Sequence, residues 1–379
     1  MRKIQMVDLQ SQYQHIKPEI DAAWQNIMES CAFINGPAVK QFQTNLEQYL
    51  HVKHVIPCGN GTEAIQVALM ALDLKPGDEV ITTTFTFIAT AEVIALLRLT
   101  PVLVDVNPDT YNIDIHAVEK AITAKTKAIV PVHLFGQCAD MEPLLKLAEK
   151  HHLHVVEDAC QAIGAQYTFA NGETKMAGTM GVMGCTSFFP SKNLGCYGDG
   201  GAIFTNDDEM ATKLRGIVNH GMFVRYYHDM VGVNSRLDSL QAAVLDVKLK
   251  YLNQYIVSRQ KAAAYYDKVF SGNEHLLIPV KGKHTTHVFH QYTMRLQHVD
   301  RQKLIDYMAQ QQIPVMIYYP VPLHMQKAYH DERYRQGDFP VSEQLCQEVI
   351  ALPMHTELDE EQLQYITSHL LKAVQMFAL

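Results

Sequence analysis

Three groups of residues carry the chemistry this sequence can offer. The first is Gly59-Asn60-Gly61-Thr62-Glu63-Ala64, between an apolar run and a helix-period segment. Glycines let backbone approach a ligand closely, and unpaired N–H groups at a helix start attract an anion. Thr62 can cap that helix and donate its hydroxyl to a phosphate. The same residues satisfy G-x-G-x-x-A, so a phosphate cradle, a nicotinamide-binding turn and a plain tight turn all remain open. The second group is Val155-Val156-Glu157-Asp158-Ala159-Cys160-Gln161, with two carboxylates at the C-terminal end of a buried strand. Open α/β sheets bind ligands at that end. A carboxylate there pairs with a cation or a protonated heterocycle, or else caps the next helix. The third is Thr186-Ser187-Phe188-Phe189-Pro190-Ser191-Lys192-Asn193-Leu194-Gly195, followed by Gly198-Asp199-Gly200-Gly201. A lysine among aromatic and glycine residues has a lowered pKa and suits imine chemistry, where an ordinary surface lysine beside a turn does not. Ser187 lies within a loop's reach of the same ligand.

These groups need elements to hold them. Apolar runs of strand length at 52–57, 80–83, 102–104, 128–132, 155–156 and 202–205 alternate with helix-period segments at 62–72, 89–97 and 141–151. That βα alternation predicts an α/β protein with a mainly parallel sheet covered on both faces. From 237 to 270 the pattern becomes one long amphipathic stretch, read as helices joining two domains. Beyond it, 287–296 and 313–318 read as strands around a helix at 301–311, with closing helices at 342–350 and 359–374. The expected division is a large domain over 1–250 and a smaller α+β domain over 251–379.

Composition bounds the function. The chain has 379 residues, 47% of them hydrophobic, enough for a large buried core. Its net charge of −8 argues against gripping nucleic acid or an anionic membrane, though a local pocket can still hold a small anion. Seven scattered cysteines without a CxxC read as reduced thiols of a cytoplasmic protein. Neither a secretion signal nor a spanning segment is expected, so the sequon Asn60-Gly61-Thr62 reads as accidental. Of the nineteen histidines, His51/His54, His151/His152/His154 and His284/His287/His290 have spacings a metal could use, but no convincing Cys or carboxylate set joins them. No metal is expected.

A phosphate cradle, a strand-end acid and an isolated lysine are the parts of a pyridoxal phosphate site. With Gly61-Thr62-Glu63-Ala64, Glu157-Asp158-Ala159, Ser187-Phe188-Phe189-Pro190-Ser191-Lys192, Gly198-Asp199-Gly200-Gly201 and Gly232-Val233-Asn234-Ser235-Arg236-Leu237-Asp238 in this order, the chain resembles the DegT/DnrJ/EryC1/StrS sugar aminotransferases over essentially its whole length. The resemblance implies fold type I, the aspartate aminotransferase-like fold of pyridoxal phosphate enzymes. It implies Lys192 as the Schiff-base lysine and Asp158 as the partner of the pyridine nitrogen. Gly61, Thr62, Glu63, Gln161 and Ser187 are implied around the cofactor, with Phe87 stacked on its ring. Asn234 is implied to reach the phosphate in a neighbouring subunit, making a homodimer part of the mechanism. Relatives that replace the lysine by histidine are dehydratases, and Lys192 argues against that branch.

Within the family, the stretches 195–208 and 231–238 resemble enzymes that aminate C3 of UDP-2-acetamido-3-keto-glucuronic acid for bacterial surface polysaccharides such as O-antigen. L-glutamate is the expected donor, and the cofactor alternates between its pyridoxal and pyridoxamine forms. A uronate needs a cation for its carboxylate, and Arg236 can supply a bidentate one unless it is tied to Asp238 or another acid. Tyr318 and Tyr319 stand where the resemblance implies a His-Tyr pair near the sugar, and Tyr318 departs from that pattern. The competing expectations are amination of a 4-keto or dTDP-linked sugar, a nicotinamide oxidoreductase, and a non-catalytic regulatory member of the family.

Overall fold

Residues 2–329 and 331–379 are described in the computed structural model of the chain. Seven strands form the main sheet, in the order His54–Cys58, Gly201–Thr205, Met183–Ser187, His154–Asp158, Thr126–Val130, Glu79–Thr83, Thr100–Val104. The last five are mutually parallel, whereas Gly201–Thr205 runs antiparallel to both of its neighbours. Strand side chains alternate between faces, and the core divides accordingly. Val55, Ile81, Ile129 and Val155 join one buried cluster, while Ile56, Val80, Ala128 and Val156 join another. Helices Pro37–Leu50, Met141–Lys150 and Ser239–Leu249 cover the first face. Gly61–Ala71, Ala89–Leu96 and Asp208–Ile217 cover the second.

This layout removes the nicotinamide reading. A dinucleotide fingerprint follows a strand inside a βαβ unit, but His54–Cys58 is an edge strand paired antiparallel to Gly201–Thr205. The glycine turn therefore opens no Rossmann unit.

A second core lies around a three-stranded antiparallel sheet, Leu276–Leu277, Tyr292–Leu296 and Val349–Leu352. Helices Leu252–Phe270, Arg301–Gln310 and Glu360–Phe377 pack on it, and Ile4 from the N-terminal segment reaches it too. Several expectations are corrected here. The segment 313–318 is not a strand: Pro314 has no N–H to give, and only a bridge between Met316 and Ala351 forms. The strand expected over 287–296 begins at Tyr292, because 287–291 turns through Phe289 at φ 45°. The helix expected over 342–350 is Pro340–Glu348, and the strand Val349–Leu352 follows at once. Glu360–Phe377 begins where Asp359 and Gln362 close a capping box. No helix among the described residues is long and apolar enough to cross a membrane.

Two buried cations join elements across this frame. Arg259, on Leu252–Phe270, donates through Nη1 to the carbonyls of Phe289, His290 and Met354 at 3.1, 3.2 and 2.9 Å. Lys248, on Ser239–Leu249, donates to the Gly195 carbonyl at 2.6 Å and lies 5.2 Å from the Tyr197 ring centroid. It thereby fixes the loop that follows Lys192. Burial pulls the Lys248 amine down to about 7, with Arg259 lowering it further and Cys196 opposing. Between about pH 7 and 10 the unfolded chain binds more protons than the folded one at this site. Its contribution to stability therefore rises with pH over that window and is least favourable below it. The stability difference between wild type and Lys248→Met should rise by roughly 2–4 kcal/mol across the window, measured by urea unfolding at several pH values. A difference independent of pH would contradict the assignment.

Candidate active site

The three chemical groups meet at the end of the sheet where the parallel strands terminate. Asp158 ends the strand His154–Asp158 and is buried. Its Oδ2 accepts the Thr90 hydroxyl at 2.7 Å and its Oδ1 accepts the Cys160 N–H at 3.1 Å. These contacts aim the carboxyl without neutralising it, since no Lys or Arg forms an ion pair with it among the described residues. The carboxyl is not the cap of a following helix: residues 159–165 make turns, and the next regular element is the strand Gln166–Thr168.

Lys192 stands in the loop after Met183–Ser187, its backbone N–H closing a turn onto the Phe189 carbonyl at 2.8 Å. Burial lowers its amine below the usual lysine value, opposed by the proximity of Cys160 and Asp158. The amine has no hydrogen-bond partner among the described residues. An ordinary solvated lysine beside a turn would not show that lowering. Cys160, facing the same space, has its thiol pushed well up by burial, so it is no competing nucleophile.

At the glycine turn the helix starts at Gly61, and its N-cap is Asn60, whose side chain accepts the Glu63 N–H at 2.9 Å. That corrects the expectation for Thr62: it sits inside the first turn with its hydroxyl uncommitted. The Gly61 and Thr62 N–H groups are likewise without protein partners among the described residues, as first-turn amides are. A Cβ at Gly61 would lie 2.6 Å from the Ser187 Cβ and 2.9 Å from the Cys160 Sγ. Only glycine lets this helix start meet the ends of the neighbouring strands. Free amides, a free hydroxyl and the Ser187 hydroxyl therefore line one corner, as a phosphate requires.

Gln161 ties the turn after Asp158 to two aromatic segments. Its Oε1 accepts the Phe135 N–H at 2.8 Å, and its Nε2 donates to the Tyr319 hydroxyl at 3.0 Å. Tyr319 stacks on Phe135, ring centroids 6.4 Å apart, and burial raises its phenol pKa. Phe87 is 55% exposed with its ring 6.3 Å from that of Tyr319, so its face is open to a ligand. Tyr318 is half-buried beside Tyr319. Asn234 and Arg236 lie on a separate segment, Asn234 exposed and bridged to Asn219. Arg236 is half-buried and, among the described residues, pairs neither with Asp238 nor with any other acid.

The residues fit pyridoxal phosphate: amides and hydroxyls for its phosphate, a strand-end carboxyl for its ring nitrogen and a half-buried amine for its aldehyde. Reading the sequence missed Thr90, which holds Asp158, and the pairing of His133 with Glu157 beneath it. It also missed the burial of His290 near Lys192, with its Nδ1 unpartnered and its pKa driven well down by burial and by Lys192 and Arg259. Thr90 was visible only as one more residue of Thr84-Phe85-Thr86-Phe87-Ile88-Ala89-Thr90. No group of three or more His, Cys, Asp or Glu residues able to hold a metal occurs among the described residues.

Residues 14–371 match the DegT/DnrJ/EryC1/StrS aminotransferase family. A pleiotropic regulatory protein of Geobacillus stearothermophilus is 46% identical over 99% of this chain and 100% of its own. The UDP-2-acetamido-2-deoxy-3-oxo-D-glucuronate aminotransferase of Pseudomonas aeruginosa is 44% identical over 97% of this chain and 99% of its own. Among solved structures, S. venezuelae DesV in complex with a ketimine intermediate superposes with a TM-score of 0.93 at 36% identity, covering 98% of both chains. With sheet, strand-end acid and half-buried lysine all in place, the chain belongs to the DegT/DnrJ/EryC1/StrS family and is a pyridoxal phosphate-dependent sugar aminotransferase.

Proposed function

We propose that the enzyme transfers an amino group from L-glutamate to C3 of UDP-2-acetamido-2-deoxy-3-keto-glucuronic acid, with Lys192 and Asp158 as its catalytic residues. The observation that carries the catalytic assignment is the half-buried Lys192 amine, lowered in pKa by desolvation and without a hydrogen-bond partner among the described residues, close enough to the anchored Asp158 to feel its charge. In the net reaction, amino acid and keto sugar become 2-oxo acid and amino sugar. Bound pyridoxal phosphate supplies the electron sink for the charge left when the donor's Cα proton departs. Lys192 Nζ holds and returns that proton, because desolvation lowers its pKa below the usual lysine value and makes the neutral amine easier to reach. Asp158 accepts a hydrogen bond from the ring nitrogen and keeps it protonated. The Gly61 and Thr62 amides, with the Thr62 and Ser187 hydroxyls, hold the phosphate, Glu63 belongs to the same first turn, and Phe87 and Gln161 border the ring.

The substrate assignment is supported by the 44% identity to the 3-oxo-glucuronate enzyme and by the unpaired Arg236. Arg236 is the cation proposed for the uronate carboxylate, and Tyr318 and Tyr319 flank the sugar. The regulatory name of the Geobacillus relative belongs to that protein alone. Here the lysine and acid that turnover needs are both present.

The active site is proposed to be completed by a second copy of the chain, through Asn234 on its exposed segment. The hairpin preceding it exposes Phe223, Tyr226 and Tyr227 to the extent of 46, 75 and 69%, an apolar surface suited to another subunit.

Three outcomes test this. Lys192→Ala should lower turnover at least about a thousandfold and Asp158→Asn by about a hundredfold or more, in single-turnover assays with the protein loaded with cofactor. Normal turnover by Lys192→Ala refutes the mechanism. Arg236→Ala should raise KM for the 3-keto uronate about ten- to a hundredfold and leave a 3-keto sugar with a neutral C6 unaffected. Conversion of a 4-keto or dTDP-linked sugar in preference to the uronate would replace the substrate assignment. Finally, Lys192→Ala and Asn234→Ala chains, each impaired alone, should recover about a quarter of wild-type activity when unfolded and refolded together, since half the dimers are mixed and carry one intact site. No recovery would place Asn234 in its own subunit's site.

A further inference from the structure

The strand that ends in Asp158 carries a second carboxylate that the proposed reaction does not use. Glu157 is fully buried and, by strand alternation, points to the opposite face from Asp158. Its two oxygens accept four hydrogen bonds. Oε1 takes the Met180 and Gly181 N–H groups at 2.5 and 2.6 Å, and Oε2 takes the Gly178 N–H and His133 Nε2, both at 2.8 Å. No Lys or Arg pairs with it among the described residues. The tautomer of His133 follows from its other nitrogen: Nδ1 accepts the Ala139 N–H at 3.1 Å, so the proton lies on Nε2 and is donated to Glu157.

His133 is also bonded to the strand through its backbone. Its N–H donates to the Asp158 carbonyl at 2.9 Å, and the Asp158 N–H donates to Pro131 at 2.9 Å. Asp158 is therefore held twice. Thr90 and the Cys160 amide hold its side chain, while the 131–133 segment, locked by the Glu157–His133 contact, holds its backbone. We propose that Glu157 and His133 are positioning residues that set where the Asp158 carboxyl meets the cofactor's ring nitrogen. The inference rests on the reading of Asp158 as that partner.

The chemistry of the cluster gives a discriminating test. All four groups around Glu157 are donors, so Glu157→Gln must bring its NH2 against at least one of them. Reversing the His133 tautomer gives no relief, because a proton on Nδ1 would face the Ala139 N–H. His133→Gln can keep a donor for Glu157. His133→Asn keeps only an acceptor for Ala139.

Each variant is titrated with pyridoxal phosphate, and the pH midpoint of the bound cofactor's visible absorbance is followed. Lys192 is the group whose linkage to the cofactor titrates, with Asp158, Cys160 and His290 as its titratable neighbours. A protonated ring nitrogen repels a proton on that linkage. Misplacing Asp158 weakens ring protonation and moves the midpoint up.

Glu157→Gln and His133→Asn should each raise the midpoint by about one unit and weaken cofactor affinity about tenfold. Asp158→Asn should do the same more strongly, and His133→Gln should stay near wild type. If Asp158→Asn shifts the midpoint but Glu157→Gln and His133→Asn only lower the melting temperature, the pair is structural and the proposal is overturned. Failure of both variants to fold leads to the same conclusion. If Asp158→Asn leaves the midpoint unmoved, the reading of Asp158 itself fails.

Discussion

A charged group at the end of a buried strand has to be oriented by the protein, because water reaches it from one side only. In this chain that constraint falls on Asp158, and much of the surrounding structure answers it. Thr90 comes from the helix Ala89–Leu96, the Cys160 amide from the turn that leaves the strand, and the Pro131 carbonyl and His133 amide from the next parallel segment. Each lies on a different stretch of chain. The carboxyl's direction is thus a property of the assembled sheet rather than of the strand that carries it. The proposed reaction depends on that direction, since a strand-end acid exchanges protons with a ring nitrogen only when correctly aimed.

The parts of the site were legible in sequence where residue type alone carries information. A lysine flanked by aromatics and glycines, a Gly-Thr pair before a helix and an acid closing a Val-Val run stand out against their surroundings. Their partners were not legible, because partnership is decided across the fold. Nothing near Thr90 in sequence points to Asp158, and Glu157 reads as a second active-site acid until the sheet turns it to the other face. The nicotinamide alternative shows the same limit. Its motif was present, and only the antiparallel edge position of His54–Cys58 removed it.

Among the elements, the central parallel strands were evident from apolar runs buried on both faces. Met183–Ser187 was not, since Gly184, Cys185 and Thr186 give no strand signal on their own and owe their extended form to pairing with both neighbours. Val349–Leu352 was read as the end of a helix, because a short apolar run has no period to separate the two. The last helix, by contrast, was read from 359, within a residue of its observed start at Glu360, where Asp359 and Gln362 supply a local cap.

The edge strand carries a consequence for how the protein is made. His54–Cys58 delivers the chain to the Gly61 helix start, yet its one strand partner among the described residues is Gly201–Thr205, synthesised long afterwards. The anion-binding corner and the lysine loop come together when that pairing closes. A nascent chain short of residue 205 has neither a complete sheet nor a complete cofactor pocket, and it carries an apolar strand with an open edge. Cofactor capture is therefore a late event that favours the closed topology by mass action.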